Sequence, residues 1–339
     1  MEVIWKRMSG WVAAIAAFTL AATSAHAQTV LSYSPWPASF VPEKVLHEFF
    51  ADIERETEGR VRVEPRAAMV GRGSAEQFDV VRDGITDLAM IVPGHTPGRF
   101  PLLEVAEMPF INSDHDATAS SFYDIYETHL APQQPIKGVK TLSIWLIPAQ
   151  NVLTRNKTII STSDFKGMKL RSPNPASSLT MRTLGAVPVA TGGDQMFEMA
   201  STGIIDGAFF NYQAMFTFNI HPYLRHFTVA PGGMTSGSNA ILMNQDKWDS
   251  LSPKDQEIIS NLAGRALSVR ISGVWAQEER EARANLEAEG VSFTDMSPKL
   301  VAELHAALEP NEREWIEKAE GLGLTNAADV LMAMKRGSR

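Results

Sequence analysis

Two stretches of seven residues share one pattern and decide the fold: GITDLAM at residues 84–90 and GIIDGAF at residues 203–209. Both carry Gly, Ile, Asp and Ala at the same spacing, and each follows a segment of helical composition and opens a strand. The glycine can end a helix with a positive φ, and the aspartate can cap the turn that follows. The copies lie 119 residues apart, too far for a solenoid repeat. They therefore predict two domains built on the same plan.

Predicted strands and helices alternate along the chain around these copies. Residues 43–58 carry apolar side chains at helical spacing and stop at Gly59, and residues 75–82 form a second predicted helix. The predicted strands are residues 30–34, 61–64, 88–92, 141–147, 167–171 and 208–210. This alternation predicts an α/β fold in which helices cover largely parallel sheets.

A long helical stretch follows between Pro253 and Glu289. It contains no internal proline, and only Gly264 and Gly273 interrupt its helical composition. A continuous helix of this length would extend for about 50 Å at about 1.5 Å per residue, which exceeds one small domain. We predict one long helix that braces both domains. Two helices broken at Gly273 are the alternative.

Composition and charge restrict the class of protein. The chain has 339 residues, of which 44% are hydrophobic and 21% are charged, enough for two ordinary domains. Because the formal net charge is −8, no basic face is available for phosphates, and no nucleic-acid partner is expected. The sequence contains no cysteine, which excludes thiol catalysis, thiolate metal sites and disulfides.

The N-terminus has the features of a secretory signal peptide. Lys6 and Arg7 precede the apolar residues 11–22, and residues 25–27 (AHA) supply small side chains at a cleavage site. A membrane anchor is the alternative, but it needs about 20 apolar residues, and this run is shorter. We predict an exported protein whose signal peptide, residues 1–27, is removed after Ala27.

The sequence lacks the motifs of common catalytic sites. It has no nucleophile elbow, P-loop, zinc-protease motif or dinucleotide-binding glycine motif. The stretch Asp114-His115-Asp116 is interpreted as a helix-capping turn, since three consecutive side chains cannot all face one metal ion without a special loop. No nucleophile and base can be paired. We expect no enzyme activity, no cofactor and no metal site.

Arg171 is the strongest candidate for binding a ligand. It ends a predicted strand and precedes residues 172–175 (SPNP). Ligands of α/β sheets bind beyond the carboxyl ends of strands. A guanidinium group there can bind a carboxylate through two parallel hydrogen bonds, which lysine cannot reproduce. A surface salt bridge is the alternative for an isolated arginine.

Several segments, in order along nearly the whole mature chain, resemble the DctP-type substrate-binding proteins of TRAP (tripartite ATP-independent periplasmic) transporters. The segments that carry the resemblance are PGRFPL (97–102), EMPF (107–110), DFKGMKLRSP (164–173), LGAVP (184–188), GIIDGA (203–208) and MNQDKW (243–248). In that family the arginine of the K-x-R stretch pairs with the substrate carboxylate. The resemblance therefore favours Arg171 as a ligand-binding residue.

The resemblance also implies a two-domain periplasmic-binding-protein fold with mixed sheets, flanking helices and a long helix that spans the hinge. Domain I would hold residues 28–149 with 237–274, and domain II would hold residues 150–236 with 275–339. The ligand would be buried in the cleft between them. A monomeric periplasmic receptor of this kind would deliver its ligand to a membrane permease with a small DctQ-type and a large DctM-type subunit.

Departures from the family pattern bear on the ligand. Relatives for sialic acid carry a second arginine on the strand that enters domain II, where this chain has Gln150-Asn151. Many relatives have Pro-Trp-Glu where this chain has Asn211-Tyr212-Gln213. If the two heptapeptides are equivalent, the loops after them face each other across the cleft. The predicted ligand-binding residues are Trp36, His95, Asn151, Arg171, Phe210, Asn211 and Tyr212.

These features predict a receptor for an organic acid, a monocarboxylate with an aromatic or hydrophobic body. One alternative is a C4-dicarboxylate receptor. Another is a ligand-sensing accessory protein or an enzyme on the same fold, since a fold alone does not fix function.

Overall fold

A computed structural model describes residues 28–337 except Ala38, Arg72, Asp114 and Asp194. The signal peptide predicted at residues 1–27 and the turn predicted at Asp114 lie outside the described residues. Among the helices that the structure describes, none has both the length and the apolar character that a membrane span requires.

Strands and helices alternate through the described part of the chain. The strands are β1 (Thr29–Ser34), β2 (Val61–Pro65), β3 (Leu88–Ile91), β4 (Val139–Leu146), β5 (Asn151–Thr154), β6 (Lys169–Ser172), β7 (Val187–Ala190), β8 (Gly207–Phe210), β9 (His226–Val229), β10 (Ser238–Asn244) and β11 (Ser292–Asp295). The α-helices are α1 (Val41–Glu56), α2 (Gln77–Arg82), α3 (His115–Ile125), α4 (Pro175–Thr183), α5 (Met196–Thr202), α6 (Tyr212–Thr217), α7 (Gln245–Ser250), α8 (Pro253–Leu262), α9 (Gly264–Ala288), α10 (Pro298–Gly321) and α11 (Ala327–Gly337).

The strands form two mixed sheets with related topologies. The first sheet has the order β2-β1-β3-β10-β4, and the second has the order β11-β9-β5-β8-β6-β7. In each sheet one strand, β10 or β5, runs antiparallel to both of its neighbours. This is why the sheets are mixed, as the family resemblance implies, and not largely parallel, as strand–helix alternation alone suggests.

The two heptapeptides have the same structural role. Gly84 and Gly203 have φ of +70° and +74°, the left-handed conformation that ends the preceding helix. The Asp87 carboxylate accepts a hydrogen bond from the Ser32 amide of β1 at 2.7 Å, and Asp206 accepts one from the Lys169 amide of β6 at 2.8 Å. Each aspartate therefore joins its strand to the equivalent neighbour in its own sheet. The two copies thus occupy equivalent positions in two sheets.

Helices cover both faces of each sheet. Neighbouring residues of β10 point to opposite faces: Ile241 packs in a core with α1, α8 and α9, whereas Leu242 packs in a core with α3 and α11. In the second sheet, Phe209 packs with α4 and α10, and Phe210 packs with α5, α6 and the end of α9. The predicted α/β class, with sheets between helices, is confirmed.

The chain crosses between the sheets twice, and the two crossings lie side by side. Residues 147–150 connect β4 to β5, and residues 230–237 connect β9 to β10. The Gln150 amide donates to the Thr235 carbonyl at 2.9 Å, and the Ile147 amide donates to the Gly237 carbonyl at 2.9 Å. This narrow paired connection leaves a cleft between the sheets.

The predicted long helix is present but starts later than expected. Helix α9 runs from Gly264 to Ala288, and α8 is a separate helix that ends at Leu262. The break lies at Gly264, where φ is +55°, and not at Gly273, which is inside the continuous helix. Trp275 of α9 packs in a core of the first sheet and Leu286 packs in a core of the second, so the helix spans both.

The C-terminal helices also connect the sheets. Leu300 and Leu304 of α10 pack under the second sheet, whereas Trp315, near the other end of α10, packs with α11 against the first sheet. The domain boundaries stated above stay a prediction.

Candidate functional site

A cavity lies in the cleft, in front of the two crossing segments. Side chains of the first sheet, the second sheet, both crossings and α9 line it. Five of the predicted ligand-binding residues are among them: Trp36, His95, Arg171, Phe210 and Asn211. The structure thus brings together residues from distant parts of the sequence.

Arg171 is a buried cation in this cavity. It lies on β6 with 3% of its surface exposed. Its Nε donates to the Thr191 carbonyl at 3.0 Å, and one terminal nitrogen donates to the Phe209 carbonyl at 3.4 Å. The guanidinium carbon also lies 5.3 Å from the centre of the Phe210 ring. These contacts hold the guanidinium plane in one orientation, which is what two-point binding of a carboxylate requires.

An aromatic wall stands on the side of the first sheet. The Trp36 ring stacks on Phe40 with 5.3 Å between ring centres, and Phe40 meets Trp275 edge-on at the same separation. Trp36 is fixed at two further points, because its indole nitrogen donates to the Met90 carbonyl at 3.1 Å and its amide donates to Glu43 at 2.9 Å. Such a wall can pack against a flat apolar ligand.

His95 adds a polar but uncharged group to the same side. Its Nδ1 lies 2.6 Å from the Ser74 hydroxyl, and its ring centre lies 6.4 Å from that of Trp36. Burial, together with the positive charge of Arg171, lowers the pKa of His95 to about 3. The imidazole is therefore neutral at physiological pH, and it does not add a second cation to the cavity.

Asn211 is held by an acid that sequence reasoning missed. Its amide nitrogen donates to Glu279 of α9 at 2.5 Å, and the amides of Tyr212 and Gln213 each donate to the same carboxyl group at 2.9 Å. Burial raises the pKa of Glu279 to about 7, although these three hydrogen bonds oppose the shift. Glu279 lies on the buried face of α9 between Trp275 and Leu286, at helical spacing. The available signal was an acid at helical spacing from the apolar residues Ile271, Trp275, Ala282 and Leu286.

The structure places Asn151 and Tyr212 outside this cavity. The Asn151 side chain accepts a hydrogen bond from the Ala230 amide at 2.9 Å, and the Tyr212 ring packs edge-on against Phe227 at 5.0 Å. Both line a neighbouring pocket with Arg283. For Asn151 the reason is strand geometry, since adjacent residues of a strand point to opposite faces. Gln150, one residue earlier, lines the cavity. Tyr212 is the first residue of α6.

Two further polar residues that line the cavity, Asn174 and Glu107, were not among the predicted ligand-binding residues. Asn174 caps α4 by accepting from the Ser177 amide at 2.8 Å, and its own amide donates to the Ser236 carbonyl at 2.9 Å. Glu107 is 3% exposed, and burial raises its pKa well above the usual range. Glu107 lies in the EMPF segment (107–110) and Asn174 lies in the SPNP segment (172–175). Both segments stood out in the sequence, but neither residue had an assigned role.

The cavity opens onto two wider spaces in the cleft. One is polar and includes Ser74, Arg182 and Gln195. The other is mainly apolar and lies between Trp36 and the segment around Met69. Among the described residues, no group of three or more His, Asp or Glu side chains is arranged to hold a metal ion.

Sequence comparison identifies the family of this two-sheet protein. The family model for bacterial extracellular solute-binding proteins, family 7 (DctP), matches residues 33–318. The chain belongs to this family. The relatives include the outer membrane transporter protein TsaT of Comamonas testosteroni, which is 24% identical over 331 residues, covering 96% of this chain and 97% of TsaT. The C4-dicarboxylate-binding periplasmic protein DctP of Rhodobacter capsulatus is 25% identical over 229 residues, covering 66% of this chain and 68% of that protein.

Solved structures of TRAP solute-binding proteins share the fold over most of this chain. A TRAP periplasmic solute-binding protein from Bordetella bronchiseptica, with bound (R)- and (S)-mandelate, has a TM-score of 0.86 and 27% identity, covering 91% of this chain and 98% of that one. A marine-metagenome TRAP solute-binding protein specific for aromatic acid ligands, in complex with metahydroxyphenylacetate, has a TM-score of 0.83 and 30% identity. The match covers 92% of this chain and 98% of that one. The family and fold are thus those of transport solute-binding proteins, as the sequence segments predict.

Proposed function

We propose that this protein captures an aromatic monocarboxylate for a TRAP transporter, and that Arg171 binds the carboxylate. The observation that carries the proposal is the buried Arg171 guanidinium, oriented by two backbone carbonyls beside the aromatic wall of Trp36 and Phe40. The ligands of the two structural relatives support it, because mandelate and metahydroxyphenylacetate both combine a carboxylate with an aromatic ring.

The charge of the cavity supports one carboxylate over two. Arg171 is the cation among the described lining residues, since His95 is neutral and Gln150 is an amide. A second ligand carboxylate would have no cation to pair with, and an unpaired buried charge is costly. A C4-dicarboxylate receptor remains the second candidate, because the relative from Rhodobacter capsulatus is named for that activity.

The wider role follows from the family. The mature protein is a monomeric periplasmic receptor, exported with cleavage after Ala27, and it docks to DctQ-type and DctM-type permease subunits without catalysing a reaction. Its two domains are residues 28–149 with 237–274 and residues 150–236 with 275–339. The C-terminal contacts of Trp315 and α11 with the first sheet add a second connection between these domains.

Calorimetry with purified protein tests the ligand class and Arg171 together. We expect mandelate, benzoate or 3-hydroxybenzoate to bind, and succinate and malate to bind more weakly. Because charged hydrogen bonds contribute about 1.5–3 kcal/mol, Arg171→Ala should weaken binding by at least about tenfold, and Arg171→Lys should restore only part of the loss.

Arg182→Ala is the matched control, because Arg182 lines the outer polar space and not the cavity. It removes the same charge and should change affinity by less than about threefold. Equal affinity of the wild type and Arg171→Ala would disprove the role of Arg171. Tighter binding of succinate or malate than of every aromatic acid would favour the second candidate.

A further inference from the structure

Glu107 is an acid in the cavity wall that carboxylate binding does not explain. It ends the 3₁₀ segment Pro101–Glu107 on the side of the first sheet, and it lines the same cavity as Arg171. Its backbone carbonyl accepts a hydrogen bond from the Thr235 hydroxyl of the second crossing at 2.7 Å. This hydrogen bond holds the backbone of Glu107, from which the side chain extends, against the second crossing.

The two carboxyl oxygens of Glu107 differ in their hydrogen bonds. Oε2 accepts a long hydrogen bond from the Ala176 amide at 3.4 Å. Among the described residues, none donates a hydrogen bond to Oε1. A Cβ atom added to Gly94, which also lines the cavity, would lie 2.7 Å from Oε1, so the absence of a side chain at Gly94 leaves room beside this oxygen.

The charged groups around Glu107 favour its protonated form. Burial raises its pKa well above the usual range, and the negative charge of Glu104 acts in the same direction. The Ala176 amide and Lys318 oppose the shift, but Lys318 already pairs with Glu104 at 2.7 Å. Arg171 and the neutral His95 line the same cavity. A protonated carboxyl group both donates and accepts a hydrogen bond.

We propose that the uncharged Glu107 recognises a hydroxyl group on the ligand, so that the substrate class is hydroxylated aromatic monocarboxylates. This inference rests on the proposed function, with the carboxylate on Arg171. A hydroxyl group is a matching partner, because it can accept a hydrogen bond from the O–H of the protonated Glu107 side chain. A site built to hydrogen-bond a hydroxyl strongly rejects the analogue that lacks it, because its own polar groups then stay unpaired.

Two pairs of probes, each differing by one hydroxyl group, test the proposal by calorimetry: mandelate against phenylacetate and 3-hydroxybenzoate against benzoate. The wild type should prefer the hydroxylated member of at least one pair by about tenfold or more. Glu107→Leu should remove that preference by weakening only the hydroxylated probe. Binding of the other member shows that this variant is folded.

Glu107→Gln reports the protonation state. Glutamine keeps a donor and an acceptor without charge, so it should keep the preference and bind within about threefold of the wild type. If Glu107 is ionised, Glu107→Gln removes a negative charge beside an anionic ligand and tightens binding by more than about tenfold, which would overturn the proposal.

The outcomes separate this inference from the proposed function. If the wild type binds both members of each pair equally, only the proposed role of Glu107 is disproved. The same holds if Glu107→Leu keeps the preference for the hydroxylated probe. If the wild type binds none of the four probes, the proposed capture of aromatic acids is disproved, and so is the role of Glu107.

Discussion

At the residue scale, Gly94 is a position where the two sides of the cleft approach each other closely. A Cβ atom at this position would lie 2.7 Å from Glu107 Oε1 and 2.8 Å from Cβ of Asn174, which belongs to the second-sheet side. Both separations are shorter than a van der Waals contact. Opening of the cleft would move Asn174 away from Gly94, so an added methyl group disfavours the closed form more than the open form.

Gly94→Ala should therefore weaken ligand binding by at least about tenfold, while the thermal unfolding midpoint of the free protein changes little. Calorimetry and thermal unfolding measure the two effects separately. Gly73→Ala is the matched control, because a Cβ atom there meets no atom within 4 Å. Unchanged affinity in Gly94→Ala would show that the cleft does not close this tightly around its ligand.

Single residues also show how far the sequence predicts the site. Arg171 could be identified because the end of a strand beside a proline-fixed loop is a local property of the chain. Asn151 and Gln150 could not be separated, because the face of a four-residue strand depends on its pairing. The hydrogen bonds between Gln150 and residues 234–235 set that register, and the partner lies more than 80 residues away.

At the element scale, α9 connects the cavity to both sheets. Trp275 lines the cavity, and Glu279, one turn further along, holds the loop of Asn211. The composition of residues 253–289 predicted a long helix, but tertiary contacts determine where it starts. The Gly264 carbonyl accepts a hydrogen bond from the Ser143 hydroxyl of β4 at 2.7 Å, which could not be inferred from helical composition.

The two glycines of α9 should respond in opposite ways to replacement by alanine. Gly273 is inside the helix, and a Cβ atom there meets no atom within 4 Å, so Gly273→Ala should stabilise the protein by about 0.5–1 kcal/mol. Gly264 has φ of +55°, and a Cβ atom would lie 2.9 Å from the Tyr123 hydroxyl. Gly264→Ala should therefore destabilise by about 1–2 kcal/mol or more. Urea unfolding midpoints measure both, and equal shifts would contradict the assigned break.

Strands that carry no alternating pattern were harder to predict. Strand β10 is buried along its whole length, and its neighbours in the first sheet, β3 and β4, cover both of its edges. A continuous buried run of this kind cannot be distinguished from part of a helix by periodicity. Strands β5, β7, β9 and β11 have four residues each, and they lack a local signal such as the heptapeptides that mark the equally short β3 and β8.

At the scale of the whole molecule, the cavity exists because two similar sheets face each other across paired crossings. The heptapeptides at residues 84–90 and 203–209 predicted the duplication, since each fixes a helix end and a strand start within its own sheet. They could not predict the C-terminal contacts, in which α10 starts on the second sheet and ends on the first. These contacts and α9 connect the halves on the outside of the cleft.

Ligand binding should close the cleft, because neither half can satisfy the ligand alone. The aromatic wall and Glu107 lie on one side, and Arg171 and Asn211 lie on the other. A ligand that contacts both sides binds the closed form better and shifts the equilibrium toward it. Small-angle scattering should therefore show a smaller radius of gyration with saturating mandelate than without it. At the same mandelate concentration, the Arg171→Ala variant should keep the larger radius of gyration, because it binds mandelate too weakly for the cleft to close. Identical scattering curves for the free and the saturated wild type would exclude closure as the response to binding.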